Sequence, residues 1–193
     1  MLTPIEIPDS IETPRTVLNK YRVGDGALFF ELIENNRKRL FHSFPIIIST
    51  VTNEVNAEFF IRSRLNEWTE QHSFTYALWN PERTSLMGHL SIKNIDWTIP
   101  RAELAYFLSS EFEGKGIMTE VLGRIIALCF EQLGMNKLFV RVITSNDKSY
   151  KVAEKCGFIR EGIIRKDFRA SDGDLVDLYY YGFTREDYEF QLR

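Results

Sequence analysis

The chain has 193 residues, of which 44% are hydrophobic, 26% charged and 13% aromatic, and its formal net charge is −3. This length and composition are typical of one globular domain with a substantial core. The acidic balance gives no reason to expect direct nucleic-acid binding, and no apolar run is long enough for a membrane-spanning helix.

The N-terminal segment carries acids and prolines where a signal peptide would carry basic residues and an apolar core. We therefore expect a cytoplasmic protein. The two cysteines, Cys129 and Cys156, are expected to be small packing residues and not a disulfide.

The predicted elements of the first half alternate between strands and helices. Residues 1–12 are expected to form an arm, and 13–193 a single domain. After the arm come a strand over 15–22, a helix over 26–40 after Asp25, a helix after Asn53, and strands over 74–80, 85–97 and 101–109. The last two strands are expected to form an antiparallel pair, and the segment 45–53 is left unassigned.

The second half predicts a different order. It contains a helix over 116–133 ended by Gly134, a strand over 137–143, a short helix over 146–157, a hairpin turning at Asp172-Gly173, and a last helical turn capped by Thr184 with Asp187. Mixed strand and helix order of this kind indicates one sheet with helices on its faces.

Two glycines flank a lysine where a predicted strand passes into a predicted helix, in Gly114-Lys115-Gly116. Helix N-termini present unpaired N–H groups with a partial positive charge, and glycine lets an anion approach them closely. Lys115 adds a cation, and Thr119 adds a hydroxyl in the first turn. The segment is a candidate phosphate-binding loop, and the alternative is a glycine-rich connection that binds nothing.

Two familiar phosphate motifs do not fit this loop. A Walker loop has Ser or Thr after Gly-Lys, whereas Gly116 follows Lys115 here. A dinucleotide fingerprint has a third glycine where this chain has Thr119.

The segment 102–122, AELAYFLSSEFEGKGIMTEVL, resembles motif A of the GCN5-related N-acetyltransferases (GNAT), which binds the pyrophosphate of acetyl-CoA. The segment 142–162, VITSNDKSYKVAEKCGFIREG, is similar to the strand–helix–Gly-Phe segment of the same superfamily. The combination most resembles the RimJ/RimL branch of ribosomal-protein N-terminal acetyltransferases. The resemblance is dense over about 85–184 and looser over 13–84.

This resemblance implies an α/β (α+β) fold of one domain, with a mixed central sheet of about seven strands flanked by about four helices. It implies acetyl-CoA as co-substrate and no metal. In the superfamily the strand matching 103–109 separates from its neighbour, and pantetheine pairs with the freed backbone groups. The implied cofactor-binding residues are Phe107, Leu108, Ser109, Gly114, Lys115, Gly116, Ile117, Met118, Thr119 and Asn146.

The chain departs from the superfamily at two positions. Glu111 stands where many members have Gln or Arg, so phosphate affinity would depend on backbone amides. Ala153 stands where many members have a tyrosine general acid. The RimL-like interpretation assigns that role to Ser149. The alternative for Ser149 is an ordinary first-turn residue behind Asn146, which would cap the helix, hydrogen-bond pantetheine, or do both.

Glu103 is the candidate general base, because it lies mid-strand among apolar residues where a carboxylate is costly without a partner or a use. Partial burial is expected to raise its pKa toward a value suited to taking a proton from an ammonium. The alternative is a surface glutamate paired with Arg101 or Lys93.

Other polar features are assigned ordinary roles. The histidines His42, His72 and His89 show no metal-ligand spacing, and Asp172-Gly173-Asp174 is interpreted as a turn and not a calcium loop. The run Tyr179-Tyr180-Tyr181 is expected to pack in a strand, with lining of an acceptor cleft as the alternative.

Three functions remain open from the sequence. The first is an acetyl-CoA-dependent N-acetyltransferase that acts on a protein N-terminus, with a ribosomal protein as the expected partner. The second is acetylation of a small amine such as a polyamine or aminoglycoside, and the third is a non-catalytic acyl-CoA sensor. No membrane partner is expected, and a homo-oligomer is left open.

Overall fold

The computed structural model describes residues 6–193. Its strands are β1 (Ser10–Glu12), β2 (Val17–Lys20), β3 (Phe74–Trp79), β4 (Leu86–Asp96), β5 (Arg101–Leu108), β6 (Lys137–Ile143), β7 (Ile159–Arg169) and β8 (Leu175–Thr184). Its α-helices are α1 (Gly26–Leu40), α2 (Pro45–Thr50), α3 (Glu54–Thr69), α4 (Ile117–Ala127), α5 (Asp147–Lys155) and α6 (Arg185–Gln191).

The described strands form one eight-stranded sheet in the order β1-β2-β3-β4-β5-β6-β8-β7. The expected α/β fold with a mixed sheet is confirmed, with one strand and two helices more than expected. The extra strand is β1, which lies in the segment expected to be an arm and pairs with β2 through Ile11 and Leu18. The part of that arm before residue 6 lies outside the described residues.

The gap between β5 and β6 is the feature of the sheet that positions the site. Every other pair of neighbouring strands is antiparallel, whereas β5 and β6 run parallel and pair only from Arg101 to Glu103, opposite Lys137–Phe139. Beyond Glu103 the two strands separate. Backbone groups that a sheet would satisfy on both sides are therefore left facing the gap.

The helices cover the two faces of the sheet unequally. The first three helices pack over β2–β5 in a cluster that includes Phe29, Ile33, Phe60 and Phe107. Helix α4 packs on the opposite face, where Val121, Leu122, Ile125 and Ile126 are buried. Its apolar stripe anchors the helix, so that its N-terminus stays at the gap.

Helix ends follow the predicted local signals, with one exception. The side chain of Asn53 caps α3, and Thr184 with Asp187 forms a capping box at α6. Gly134, at φ +66°, lies just past the π-helical turn Leu128–Gln132 that follows α4. Asp25 occupies the N-cap position of α1, but its carboxylate accepts from the N–H of Arg22 and not from the helix.

Candidate active site

A groove of about 1530 Å³ follows the gap between β5 and β6. Pockets for one small ligand are typically about 300–1000 Å³, so this groove has room for two substrates at once. We call the part between the N-terminus of α4 and helix α5 the α4 arm. The part bounded by α2, α3 and the uncovered sheet face beside Glu103 is the α3 arm.

The glycine-rich loop opens directly onto the α4 arm. Gly114 and Gly116 have φ values of +73° and +75°, in the left-handed region that favours glycine. The N–H of Glu120 makes the first helical hydrogen bond, to the carbonyl of Gly116, and the helix has no side-chain cap. The N–H groups of Ile117–Thr119 therefore lie outside the helical ladder, at the positive end of the helix dipole. All three residues line the groove.

Lys115 is placed differently from the cation expected in the loop. Its ammonium lies 5.7 Å from the ring centroid of Phe112, and its side chain is not among those that line the groove. Its carbonyl accepts a hydrogen bond of 2.8 Å from Arg15, which also pairs with Glu120. Lys115 therefore contributes to the position of the loop, whereas other cations face the groove.

The backbone of β5 divides its hydrogen bonds between β4 and the gap. The N–H of Ser109 donates to the carbonyl of Met87 at 2.7 Å, so this amide is not free for a ligand. Because successive residues of an antiparallel strand point their N–H groups to opposite sides, Phe107 also faces β4, while Tyr106 and Leu108 face the gap. Of the three residues expected to offer their backbone, Leu108 is the one whose N–H points into the groove, and Tyr106 joins it.

Helix α1 holds the turn that follows β5. The buried amide of Asn36 donates to Ser109 Oγ at 3.2 Å and accepts from the N–H of Ser110 at 3.0 Å. Arg39 donates to the carbonyl of Leu108 and to the carboxylate of Glu113. The direction of the loop at the groove is thus set by contacts from a helix about 70 residues earlier in the chain.

Glu103 lies at the point where β5 and β6 separate, in the α3 arm. Its side chain is 5% exposed, and Oε2 accepts from Asn94 at 2.5 Å and from Arg141 at 2.9 Å. Oε1 lies 3.7 Å from the ammonium of Lys93. The expected burial is found. Lys93 is a partner as the alternative proposed, so the structure contradicts only the surface position that the alternative gave to Glu103. Arg101 pairs instead with Asp96.

Arg141, which projects from β6, is the partner of Glu103 that the sequence did not indicate. Burial lowers the pKa of the Arg141 guanidinium, and its hydrogen bond to Glu103 raises it. The net change is a rise in this pKa. The pairing of Glu103 with Arg141 depends on the parallel register of β5 and β6, which places residue 139, two positions before Arg141, opposite residue 103. The sequence alone does not give this register. Arg141 thus carries a permanent positive charge to the base of the gap.

His89 forms an uncharged wall of the α3 arm. Its Nδ1 lies 3.0 Å from Tyr21 Oη and its Nε2 3.1 Å from Ser91 Oγ, and its ring stacks on Phe107. Burial, with smaller contributions from Arg64 and Lys93, lowers the pKa of His89 to about 3. His89 thus has the ordinary role expected for it, with a hydrogen-bond partner at each ring nitrogen.

Asn146 and Ser149 lie at the N-terminus of α5, beside the groove. Asn146 Oδ1 accepts from the N–H of Ser149 at 3.2 Å, which is the capping role expected for it, and Asn146 Nδ2 reaches Ser43 Oγ. Both residues line the groove. The hydroxyl of Tyr106 donates to the carbonyl of Ser149 at 3.2 Å, so two hydroxyl-bearing residues meet here. Burial raises the pKa of Tyr106.

Other expected features have structural roles. Tyr181 is buried and bonds to Glu154, and Tyr180 stacks on Phe139. Within residues 6–193, no tyrosine of the 179–181 run lines the groove, and no cluster of three or more metal-ligand side chains occurs. No helix of that range combines the length and apolar character needed to cross a bilayer.

Known proteins resemble this chain in sequence and in fold. The sequence profile of the Acetyltransferase (GNAT) domain family matches residues 15–159. The "Putative ribosomal N-acetyltransferase YdaF" of Bacillus subtilis (strain 168) is 37% identical over 105 residues, which are 54% of this chain and 57% of that protein. The chain thus aligns with little more than half the length of this relative.

Solved structures share the fold over most of the chain. The ribosomal-protein-S5-alanine acetyltransferase of Vibrio fischeri has a TM-score of 0.83 at 21% identity, covering 92% of this chain and 97% of that one. RimL, a ribosomal L7/L12 alpha-N-protein acetyltransferase solved with coenzyme A, has a TM-score of 0.83 at 19% identity, covering 89% and 95%. Enzymes of this family use acetyl-CoA as the acetyl donor. The profile match covers most of the chain, and the chain belongs to the GNAT acetyltransferase family.

Proposed function

We propose that this protein transfers the acetyl group of acetyl-CoA to the α-amino group of a protein N-terminus, with both substrates bound at once. The observation that carries the proposal is that β5 and β6 separate, and that each of the two arms of the groove has groups suited to one substrate. The α4 arm offers the free N–H groups of Ile117–Thr119. The α3 arm offers the buried carboxylate of Glu103.

The pyrophosphate of acetyl-CoA fits the α4 arm on chemical grounds. A helix N-terminus reached through Gly114 and Gly116 is suited to a phosphate, and neither glycine position has a close neighbour to obstruct one. Pantetheine would then extend along the gap and pair with the backbone of Tyr106 and Leu108. Its thioester carbonyl would accept the N–H of Leu108, which stabilises the oxyanion of the tetrahedral intermediate.

Glu103 is placed to receive the proton of the acceptor. The amine nitrogen forms a bond to the thioester carbon, the carbon–sulfur bond breaks, and the amine loses a proton to Glu103 directly or through one water. The thiolate of coenzyme A takes up a proton from the Ser149 hydroxyl, which has the α5 helix start and Tyr106 beside it. Solvent water returns a proton to Ser149, and Glu103 releases the amine proton to solvent, so that both residues regain their starting state. The products are an N-acetyl amide and coenzyme A with a free thiol.

The charges of the α3 arm favour a protein N-terminus over a polyamine. Each carboxylate that lines this arm already has a cation beside it, since Glu67 pairs with Arg64 at 2.6 Å and Glu103 with Arg141. A polyamine carries several positive charges and needs free carboxylates in its site. A peptide terminus brings one amine and an uncharged backbone.

The family relatives support the same acceptor. The Vibrio fischeri structure is of an enzyme named for an alanine of ribosomal protein S5, and RimL is named for α-N-acetylation of L7/L12. A relative from Vibrio cholerae, 27% identical over 84 residues, is named a spermidine N(1)-acetyltransferase. The experiment must therefore distinguish a protein N-terminus from a small amine as the acceptor.

The test is release of free coenzyme A thiol with a panel of matched acceptors. A lysine-free peptide with a free N-terminus should be acetylated, the same peptide with a formylated N-terminus should not, and spermidine should react at least about tenfold more slowly, a difference of roughly 1.4 kcal/mol. Preferential turnover of spermidine would overturn the proposed acceptor. Binding of coenzyme A without turnover of any amine would support the sensor alternative and overturn the enzyme.

A further inference from the structure

A row of lysines on α5 faces the groove opposite the N-terminus of α4. Lys148, Lys151 and Lys155 are spaced three and four residues apart, so they share one helix face, and all three line the groove. Lys151 pairs with Asp147 at 2.9 Å, and within residues 6–193 no ion pair is found for Lys155. The three lysines give this helix face a positive charge that would attract a ligand with several negative charges.

The loop before α4 contributes an acid to the same place. Glu113 accepts from Arg39 at 2.5 Å through Oε1 and from Lys148 at 2.8 Å through Oε2. Its side chain is 21% exposed, whereas that of Lys148 is 75% exposed. The acid noted in the sequence, Glu111, is exposed and does not line the groove. Two carboxylates line the groove here, Glu113 and Asp147, and each is paired with a lysine of α5.

The Glu113–Lys148 ion pair joins the two sides of the gap. Glu113 belongs to the connection after β5, and Lys148 belongs to the helix after β6. Both residues line the groove together with Gly116 and Ile117, at the start of α4 where the proposed donor phosphates would lie. An exposed ion pair contributes little to stability, so a ligand can replace it at small cost.

We propose that Lys148 exchanges Glu113 for a phosphate of the acetyl donor, and that this exchange makes the protein selective for coenzyme A thioesters over pantetheine thioesters. The inference rests on the proposed function, because it needs the donor to lie in the α4 arm. Coenzyme A carries a pyrophosphate and a 3′-phosphate, whereas pantetheine carries none. Lys151 and Lys155 continue the same helix face and extend the positive charge along the nucleotide.

The alternative is that the three lysines form an ordinary solvated face, which would affect all donors equally or not at all. The two interpretations differ in what Glu113 does. If Lys148 exchanges partners, Glu113 competes with the phosphate, and its removal tightens donor binding. If the pair is only structural, its removal changes the binding of coenzyme A and of pantetheine to the same extent.

The experiment compares Lys148→Ala and Glu113→Gln by calorimetric titration with coenzyme A and by the KM for acetyl-pantetheine. Lys148→Ala should weaken coenzyme A binding by about three- to tenfold, and more steeply at low salt, with the acetyl-pantetheine KM unchanged. Glu113→Gln should tighten coenzyme A binding severalfold. The double variant should lose more affinity relative to Glu113→Gln than Lys148→Ala loses relative to wild type.

Lys38→Ala, at an exposed lysine on α1 that does not line the groove, is the matched control and should bind coenzyme A as wild type does. Wild-type affinity in Lys148→Ala, or equal effects on both donors, overturns the inference while the proposed function stands. A wild-type protein that neither binds coenzyme A nor releases its thiol overturns both.

Discussion

The carboxylate of Glu103 and the guanidinium of Arg141 join β5 and β6 at the point where the two strands separate, with 2.9 Å between Oε2 and Nη2. The pair closes the base of the groove from side to side. It also holds the candidate base in one orientation, because Asn94 donates to the same oxygen. Within residues 6–193, the partner found for Oε1 is Lys93. In the proposed mechanism, Oε1 is the atom that would take the proton from the acceptor.

Replacement of Glu103 by Gln tests this assignment. The amide keeps the shape of the side chain but cannot accept the amine proton, so kcat should fall by about 10²- to 10⁴-fold. Coenzyme A affinity should stay within about twofold of wild type, because the side chain lies in the α3 arm. Glu161→Gln, which also removes a strand carboxylate paired with a lysine, is the control. Wild-type turnover in Glu103→Gln would place the base elsewhere.

Replacement of Gly116 by Val tests the phosphate loop. A side chain at this position enters the space in front of the α4 N-terminus, so the Kd for coenzyme A should rise at least about tenfold. Valine at a positive φ is also strained, so Gly134→Val, at φ +66° with no neighbour within 4 Å of the added Cβ, serves as the strain control. An unchanged Kd by calorimetry in a folded Gly116→Val protein contradicts the assignment.

Ser149→Ala addresses the leaving thiolate. Loss of the hydroxyl should lower kcat by roughly 100-fold, the lower end of the range for general acid effects, and should leave the cap at Asn146 intact. The capping bond uses the backbone N–H of Ser149, which alanine retains. We expect the Ser149→Ala variant to have the thermal unfolding temperature of the wild type and a reduced kcat. Wild-type kcat would instead favour the ordinary first-turn role.

Asn36 tests how α1 supports the loop. Asn36→Ala removes the bonds to Ser109 Oγ and to the N–H of Ser110, and it leaves buried groups without partners. The free energy of unfolding should fall by about 1–3 kcal/mol. Asn35→Ala, at the exposed neighbouring position, should change it by less than about 0.5 kcal/mol. Chemical denaturation measures both, and equal effects of the two substitutions would show that the buried bonds do not stabilise the fold.

His89 makes stability depend on pH in a defined direction. Its pKa is about 3 in the folded protein and 6.5 without the fold, so between these values the unfolded chain binds the extra proton. Stability is therefore full above about pH 6.5 and is lost as the pH falls toward 3, by up to about 1.4 kcal/mol per pH unit.

Urea denaturation at pH 7, 6 and 5 measures this slope. His89→Gln should show a shallower loss than wild type between pH 6 and pH 5, whatever its stability at pH 7. His72→Gln, at an exposed histidine, should retain the wild-type slope. A wild-type slope in His89→Gln would mean that other groups cause the acid sensitivity.

The sequence by itself determined the features that depend on neighbouring residues. The glycines around Lys115 predicted a loop at a helix start, and Asn53, Asn146 and Thr184 predicted caps that the structure has. These signals are local, because a cap or a positive φ involves residues within one turn of each other. The family resemblance depended on the local patterns of the segments 102–122 and 142–162 and was confirmed.

The tertiary structure decided what depends on strand register. Glu103 and Arg141 are 38 residues apart in the chain, and they meet only because a short parallel pairing stops at residue 103. The antiparallel register of β5 with β4 turned the N–H of Ser109 toward Met87 and left that of Leu108 to the gap. Lys148 reached Glu113 because the separated strands carry their connections to opposite sides of one groove. Residue types show which groups can pair, but long-range backbone geometry selects the pairs that form.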